Sequence, residues 1–176
     1  MTKKERGLTL IELLCTLAIV SIVIGNAIPA LYHFHGNNRL WVHSQQLGQI
    51  LSFARSEAIK QNSTVTLCPS QNSKHCSEKH DWAAQWLMFV DTNNNAQYEN
   101  QEVLLKQINF NNIPFNITTS RKPPIMFYGN GRSEGSNTTF TFCDTRGADY
   151  AKAVILSNTG RFRFSEKKSS GKKLDC

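Results

Sequence analysis

The segment Arg161-Phe162-Arg163-Phe164 alternates strictly between guanidinium and aromatic side chains. In a strand, side chains two apart share a face, about 6.5–7 Å from each other. Phe162 and Phe164 are therefore expected to enter a core, and Arg161 and Arg163 to face solvent together. Two guanidinium groups so placed could clamp a phosphate, because each presents planar, paired donors to two oxygens. Asn158-Thr159-Gly160, just ahead, supplies a tight hairpin turn, and Gly160 would let another backbone approach closely. Arg-x-Arg alone is also what an ordinary exposed strand carries, so its surroundings matter. Residues 121–176 hold eleven Lys/Arg against five Asp/Glu, a net of +6, whereas the whole chain carries +7. Arg146, Lys152, Lys167, Lys168, Lys172 and Lys173 all belong to this basic third, which implies an anionic partner or a membrane surface. Phosphate contacts would give it affinity with little base information.

An acid poses the opposite problem. Glu12 sits near the start of an apolar run from residue 8 to residue 31. A carboxylate inside a membrane is costly, marks function and needs a partner. No basic residue of the same chain can reach it there. The expected cation is the α-amino group that a cut between Gly7 and Leu8 would create.

Other constellations read more weakly. Cys68, His75, Cys76 and His80 could all ligate zinc, but their spacing matches no common structural site. The stretch from Asp91 to Glu102 places oxygen-bearing residues at calcium-loop positions 1, 3, 5, 7, 9 and 12. Ala96 stands where that loop needs Gly, and an Asn-rich β-turn explains the same residues. His33, His35 and His43 fall on a helix, expected exposed, and no nucleophile–base, Walker or paired-carboxylate arrangement appears. Neither catalysis nor a cofactor is expected, and Trp82 and Trp86 read as core residues.

These groups need elements to hold them. Residues 8–28 are apolar enough and nearly long enough to span a bilayer, with Lys3, Lys4 and Arg6 holding the preceding leader in the cytoplasm. Leu40, Leu47, Leu51, Ala54 and Ala58 fall on one helix face, so the helix is expected to run to about residue 61, with Pro29 kinking or interrupting it. At about 1.5 Å per residue it would be roughly 80 Å long, with its first half projecting from the rest. Beyond it, 64–67, 86–91, 103–108, 125–128, 138–143, 153–157 and 161–164 read as strands. A long helix on an antiparallel, mostly consecutive sheet is an α+β arrangement. Cys68, Cys76, Cys143 and Cys176 are an even set in an exported domain, which suggests two disulfides. Three pairings are possible. Cys68–Cys76 and Cys143–Cys176 are favoured, the second tying down a Lys/Ser/Gly tail that otherwise looks flexible. Cys15, in the apolar run, reads as a small packing residue.

Gly7-Leu8-Thr9-Leu10-Ile11-Glu12, behind a short basic leader, resembles the processing site of type IV pilins and type II secretion pseudopilins, with Leu8 where Phe is usual. The resemblance implies that a prepilin peptidase cuts after Gly7 and methylates Leu8. It also implies that Glu12 pairs with the N-terminus of a neighbouring pilin subunit during assembly. Trp82 with 86–95, then 102–105, and the ending 154–163 resemble the FimT/GspH group of minor pilins. The organisation implied is a leader (1–7), a transmembrane and assembly helix (8–31), the periplasmic half of that helix (32–61) and a β-rich globular domain with a basic tail (62–176), together a type IV pilin fold. The subunit would sit in the inner membrane before assembly and in the surface pilus afterwards. Gly160-Arg161-Phe162-Arg163 is similar to the Gly-Arg-x-Arg motif of FimT proteins that bind DNA in natural transformation, which implies that Arg161 and Arg163 contact DNA. The lysines and Arg146 join them by charge and proximity. The expectation is a minor pilin that binds extracellular DNA. The alternative is a structural or priming subunit, or a secretion pseudopilin, without DNA binding.

Overall fold

The computed structural model describes residues 9–71, 74–77, 82, 85–99, 101–110, 113–122 and 124–176. Gly7, Leu8 and His80 lie outside them. The chain divides into two compact units, residues 1–38 and 39–176. Helix α1, Leu10–Gln61, contributes to both.

In the first unit α1 is apolar and exposed, and by length and composition it could cross a membrane. The helix continues through Pro29. The polar side chains turn inward on the helix: Ser21 Oγ donates to the Leu17 carbonyl at 2.7 Å and Asn26 Nδ2 to the Ile22 carbonyl at 2.8 Å. That satisfies groups which lipid could not. At the helix start, the Glu12 amide donates to Thr9 Oγ1 at 3.3 Å and the Thr9 amide to Glu12 Oε2 at 3.5 Å. Thr9-x-x-Glu12 is thus a capping box, a local use of Glu12 that the membrane-charge argument does not include.

In the second unit, the expected helix face is the buried one. Leu40, Leu47, Leu51, Ala54 and Ala58 are at most 1% exposed. Among the described residues eight strands follow: β1 Thr64–Ser70, β2 Gln85–Asp91, β3 Leu104–Asn109, β4 Asn116–Thr119, β5 Ile125–Phe127, β6 Thr138–Cys143, β7 Lys152–Leu156 and β8 Phe162–Ser165. They form two four-stranded antiparallel sheets, ordered β3-β2-β1-β5 and β4-β6-β7-β8. The undivided sheet of the sequence reading is therefore two sheets, and β4 is an additional strand. One core joins α1 to the inner faces of both, with Trp82, Trp86, Phe127, Phe140 and Phe142 fully buried in it. Trp86 Nε1 donates to the Trp82 carbonyl at 2.7 Å, and the two indoles meet edge to face at 4.7 Å.

α1 approaches the second sheet closely at Gly48. A Cβ there would lie 2.8 Å from the Phe162 ring and 2.9 Å from that of Phe164. Trp41 packs on Phe164 at 5.4 Å. Both phenylalanines are half-buried, and each such ring contributes on the order of 1–2 kcal/mol by burial. They clamp edge strand β8 to the helix.

Candidate functional site

The β7–β8 hairpin sets the arginines. Leu156 pairs with Phe162 and Val154 with Phe164, so both phenylalanines share the inner face. Arg163 lies opposite Ile155, which lies opposite Thr139, so all three share the outer face. Arg161 and Arg163 are exposed. In the connecting turn the Ser157 amide donates to the Arg161 carbonyl and the Gly160 amide to the Ser157 carbonyl, both at 2.9 Å. Gly160 has φ +72°, and a Cβ on it would lie 2.1 Å from the Gly131 carbonyl oxygen. The close backbone approach expected of Gly160 is made by Gly131.

The tail is an ordered turn laid over the outer face of the second sheet. Cys143–Cys176 is a disulfide with a Cα separation of 5.6 Å, and Cys68–Cys76 is the other, at 5.4 Å. Lys167 and Lys173 form a β-bridge, the Lys168 amide donates to the Lys172 carbonyl at 2.8 Å, and Leu174 is buried against Cys143, Ala151 and Ala153. Between tail and sheet runs a groove of about 290 Å³ lined by Thr118, Thr139, Thr141, Lys168, Ser169 and Asp175, among others. Its hydroxyls are candidate phosphate donors. Thr139 stands two strands from Arg163 on the same face, about 9.6 Å away at sheet spacing.

The basic residues divide into two sets. Lys152 pairs with Glu166, Lys168 with Asp175 and Lys173 with Asp149. Such surface pairs are weak, about 0–1 kcal/mol, and a phosphate can compete for them. Among the described residues, Arg161, Arg163, Lys167 and Lys172 have no side-chain ion pair, and all four are exposed. Arg146 departs from the sequence reading. Its side chain is 7% exposed, its Nη2 lies 2.7 Å from Asp144 Oδ2, and its guanidinium sits 4.5 Å over the Tyr150 ring. It is committed to the fold and unavailable to a phosphate.

The Asp144–Arg146 pair carries a pH prediction. Burial pushes the Asp144 carboxyl up. The hydrogen bonds and charge of Arg146, with a smaller pull from Arg39, outweigh that and hold it below its ordinary 3.8. Stabilisation from a depressed carboxyl is complete above its unfolded value and is lost as pH falls through the folded one. Wild-type protein should therefore lose thermal stability more steeply than Asp144→Asn as pH drops below about 4. Parallel melting curves for the two would show that the pair contributes nothing.

Two further arginines, Arg55 from outside the basic third and Arg132 from within it, join the β7–β8 turn. Arg55 of α1 donates from Nε to the Gly131 carbonyl at 2.9 Å. Arg132, next in the chain, is exposed and pairs with Glu134 at 2.6 Å. The loop they share docks on the turn through the Ser133 amide to the Asn158 carbonyl at 3.0 Å and Ser133 Oγ to the Ser157 carbonyl at 2.8 Å. Gly129-Asn130-Gly131 was the available signal for a tight loop, but not for its partner.

The residues of the two metal readings are otherwise engaged among the described residues. Asp91 Oδ1 accepts the Asn95 amide, and its Oδ2 accepts the Ala96 amide and the Thr66 hydroxyl. Glu102 accepts the Thr92 and Glu99 amides, each at 3.1 Å. The carboxylates clamp an Asn-rich turn in which Asn94 and Ala96 take positive φ. Cys68 and Cys76 are bonded to each other and cannot ligate zinc. Among the described residues no group of three or more His, Cys, Asp or Glu could hold a metal. His43 is half-buried, 4.9 Å from the Phe115 ring, rather than exposed as expected; His33 and His35 are exposed.

The family described as type II transport protein GspH matches residues 43–160, and the prokaryotic N-terminal methylation motif matches residues 2–25. Over 97 residues the chain is 35% identical to the pilin-like protein PilA1 of Thermus thermophilus, covering 54% of each. The chain thus spans about half the length of that relative. Two crystal forms of the Pseudomonas aeruginosa type IV minor pilin FimU share the fold. One matches with TM-score 0.59 at 20% identity, over 80% of this chain and 96% of FimU. The other has TM-score 0.54 at 18% identity, over 74% and 94%.

Proposed function

This chain belongs to the GspH family, and from that premise we propose that it is a minor type IV pilin that grips extracellular DNA, without regard to sequence, along edge strand β8 and the tail. The subunit is structural and does no chemistry of its own. Its methylation motif and apolar helix anchor it in the inner membrane, and it later joins other pilin subunits in a pilus after prepilin peptidase processing. In the proposed scheme the cut falls at Gly7/Leu8, and Glu12 receives the new amine of a neighbouring subunit. The second sheet is a rigid platform, and pilus retraction draws the bound DNA inward for transformation.

One observation carries the DNA reading. Arg161, Arg163, Lys167 and Lys172 follow one another along a single edge strand and tail, exposed and without carboxylate partners among the described residues. Four phosphate contacts would give a log–log salt slope of about −3.6 on duplex DNA, and non-specific affinity near micromolar or weaker at physiological salt. Titration of the full-length chain in detergent micelles with a random-sequence duplex, across a range of salt, measures both. Background binding at low salt would leave the structural alternative, a priming subunit or secretion pseudopilin.

A further inference from the structure

The geometry points to a phosphate-binding fork on α1, formed by Arg55 beneath the β7–β8 turn, which extends the proposed DNA surface from the sheet onto the helix. It rests on the DNA reading and adds a residue from a different element.

Arg55 is half-buried, and its Nε donates to the Gly131 carbonyl at 2.9 Å. That bond uses one of the five donors of a guanidinium and fixes the plane of the group. Among the described residues the two Nη groups have no partner. Glu57, the acid near it on the same helix, does not neutralise it: Glu57 pairs with Lys60 and accepts from Gln61. On the facing loop, Glu134 pairs with Arg132. A partly desolvated cation without a counter-ion is costly. Here it is also oriented in advance, with its remaining donors in the arrangement that takes two phosphate oxygens at once.

Position links the fork to the rest of the surface. A Cβ on Gly160 would lie 3.3 Å from Arg55 Nε, so the group lies against the residue immediately before Arg161. Arg132 follows the very residue whose carbonyl Arg55 holds. Three segments distant in sequence therefore bring arginines to one turn. A backbone phosphate arriving at Arg161 would meet Arg55, with Arg132 released from its exposed carboxylate.

The wild-type full-length chain in detergent micelles gives the first test, by arginine Nε–Hε NMR spectra. A short DNA duplex, added stepwise, should shift the Arg55 resonance saturably and along the same curve as that of Arg161. Inorganic phosphate at equal phosphate concentration should shift it far less. Arg55→Gln should then lower the salt slope by about 0.9, and Arg55→Lys, which keeps the charge, should preserve it. A duplex that moves Arg161 and leaves Arg55 still would overturn the fork and leave the DNA reading standing. So would Arg55→Gln weakening binding with the slope unchanged, the mark of a purely structural role. An equal response to free phosphate would overturn the DNA assignment of the fork, and no response at either arginine would remove both readings.

Discussion

Replacing Arg161 and Arg163 together by Gln should weaken duplex binding about a hundredfold while the melting transition stays in place. Charge-assisted hydrogen bonds are worth about 1.5–3 kcal/mol each, so losing two at the lower value costs about 3 kcal/mol, or two powers of ten. The salt slope should fall by about 1.8. The fold should survive because both side chains are exposed and Arg163 stands on the outer face of β8, opposite Ile155. The core contacts of that strand belong to Phe162 and Phe164, which stay. Direct titration of the double variant beside wild type, with melting curves of both, is the check. Unaltered affinity would remove β8 from the proposed DNA surface.

Gly160→Ala should be the most destabilising single substitution in the second sheet's turns. The left-handed backbone costs a non-glycine residue about 1–2 kcal/mol. The larger cost is contact, since the new Cβ would lie 2.1 Å from the Gly131 carbonyl oxygen, a backbone atom. Relief requires the two turns to part. That breaks the Arg55–Gly131 bond and both Ser133 bonds, each worth about 1 kcal/mol. The total is about 4–5 kcal/mol. Gly135→Ala is the matched control, because Gly135 has φ +75° but open space around its Cα. Unfolding free energies from denaturant titration should separate the two by about 3 kcal/mol. Equal costs would mean that the close approach at Gly160 is unimportant.

Local signals carried much of this architecture. The spacing of Leu40, Leu47, Leu51, Ala54 and Ala58 was enough to find the buried helix face, because periodicity is local. Strict alternation at 161–164 was enough to sort Phe from Arg. β4 escaped because Asn116-Ile117-Thr118-Thr119 is short and polar with one buried residue, Ile117, on an edge. The split into two sheets escaped because β5 returns to β1 and β4 pairs with β6, and such non-consecutive pairing leaves no trace in a window of neighbouring residues. The site was legible only along the chain. Arg55 meets Gly131 across 76 residues, and a helix arginine looks like any solvated face until its partner is known. Charge counting likewise treated Arg146 and Lys167 alike, although one is buried on Asp144 and the other is exposed.

The Cys143–Cys176 bridge has a mechanical consequence. The two cysteines are 33 residues apart, and β7, β8 and the tail all lie between them. An edge strand is ordinarily the easiest to peel, because a load at its free end breaks ladder bonds one at a time. Here β8 has no free end: the chain beyond it returns to the last residue of β6 through a covalent bond. Tension applied at Arg163 or at the tail lysines must pass through that closed loop into β6, an interior strand held on both sides. Peeling can lengthen the hairpin only by the slack in the loop. The surface proposed to grip DNA under traction is thus stitched shut at the edge where it would first tear.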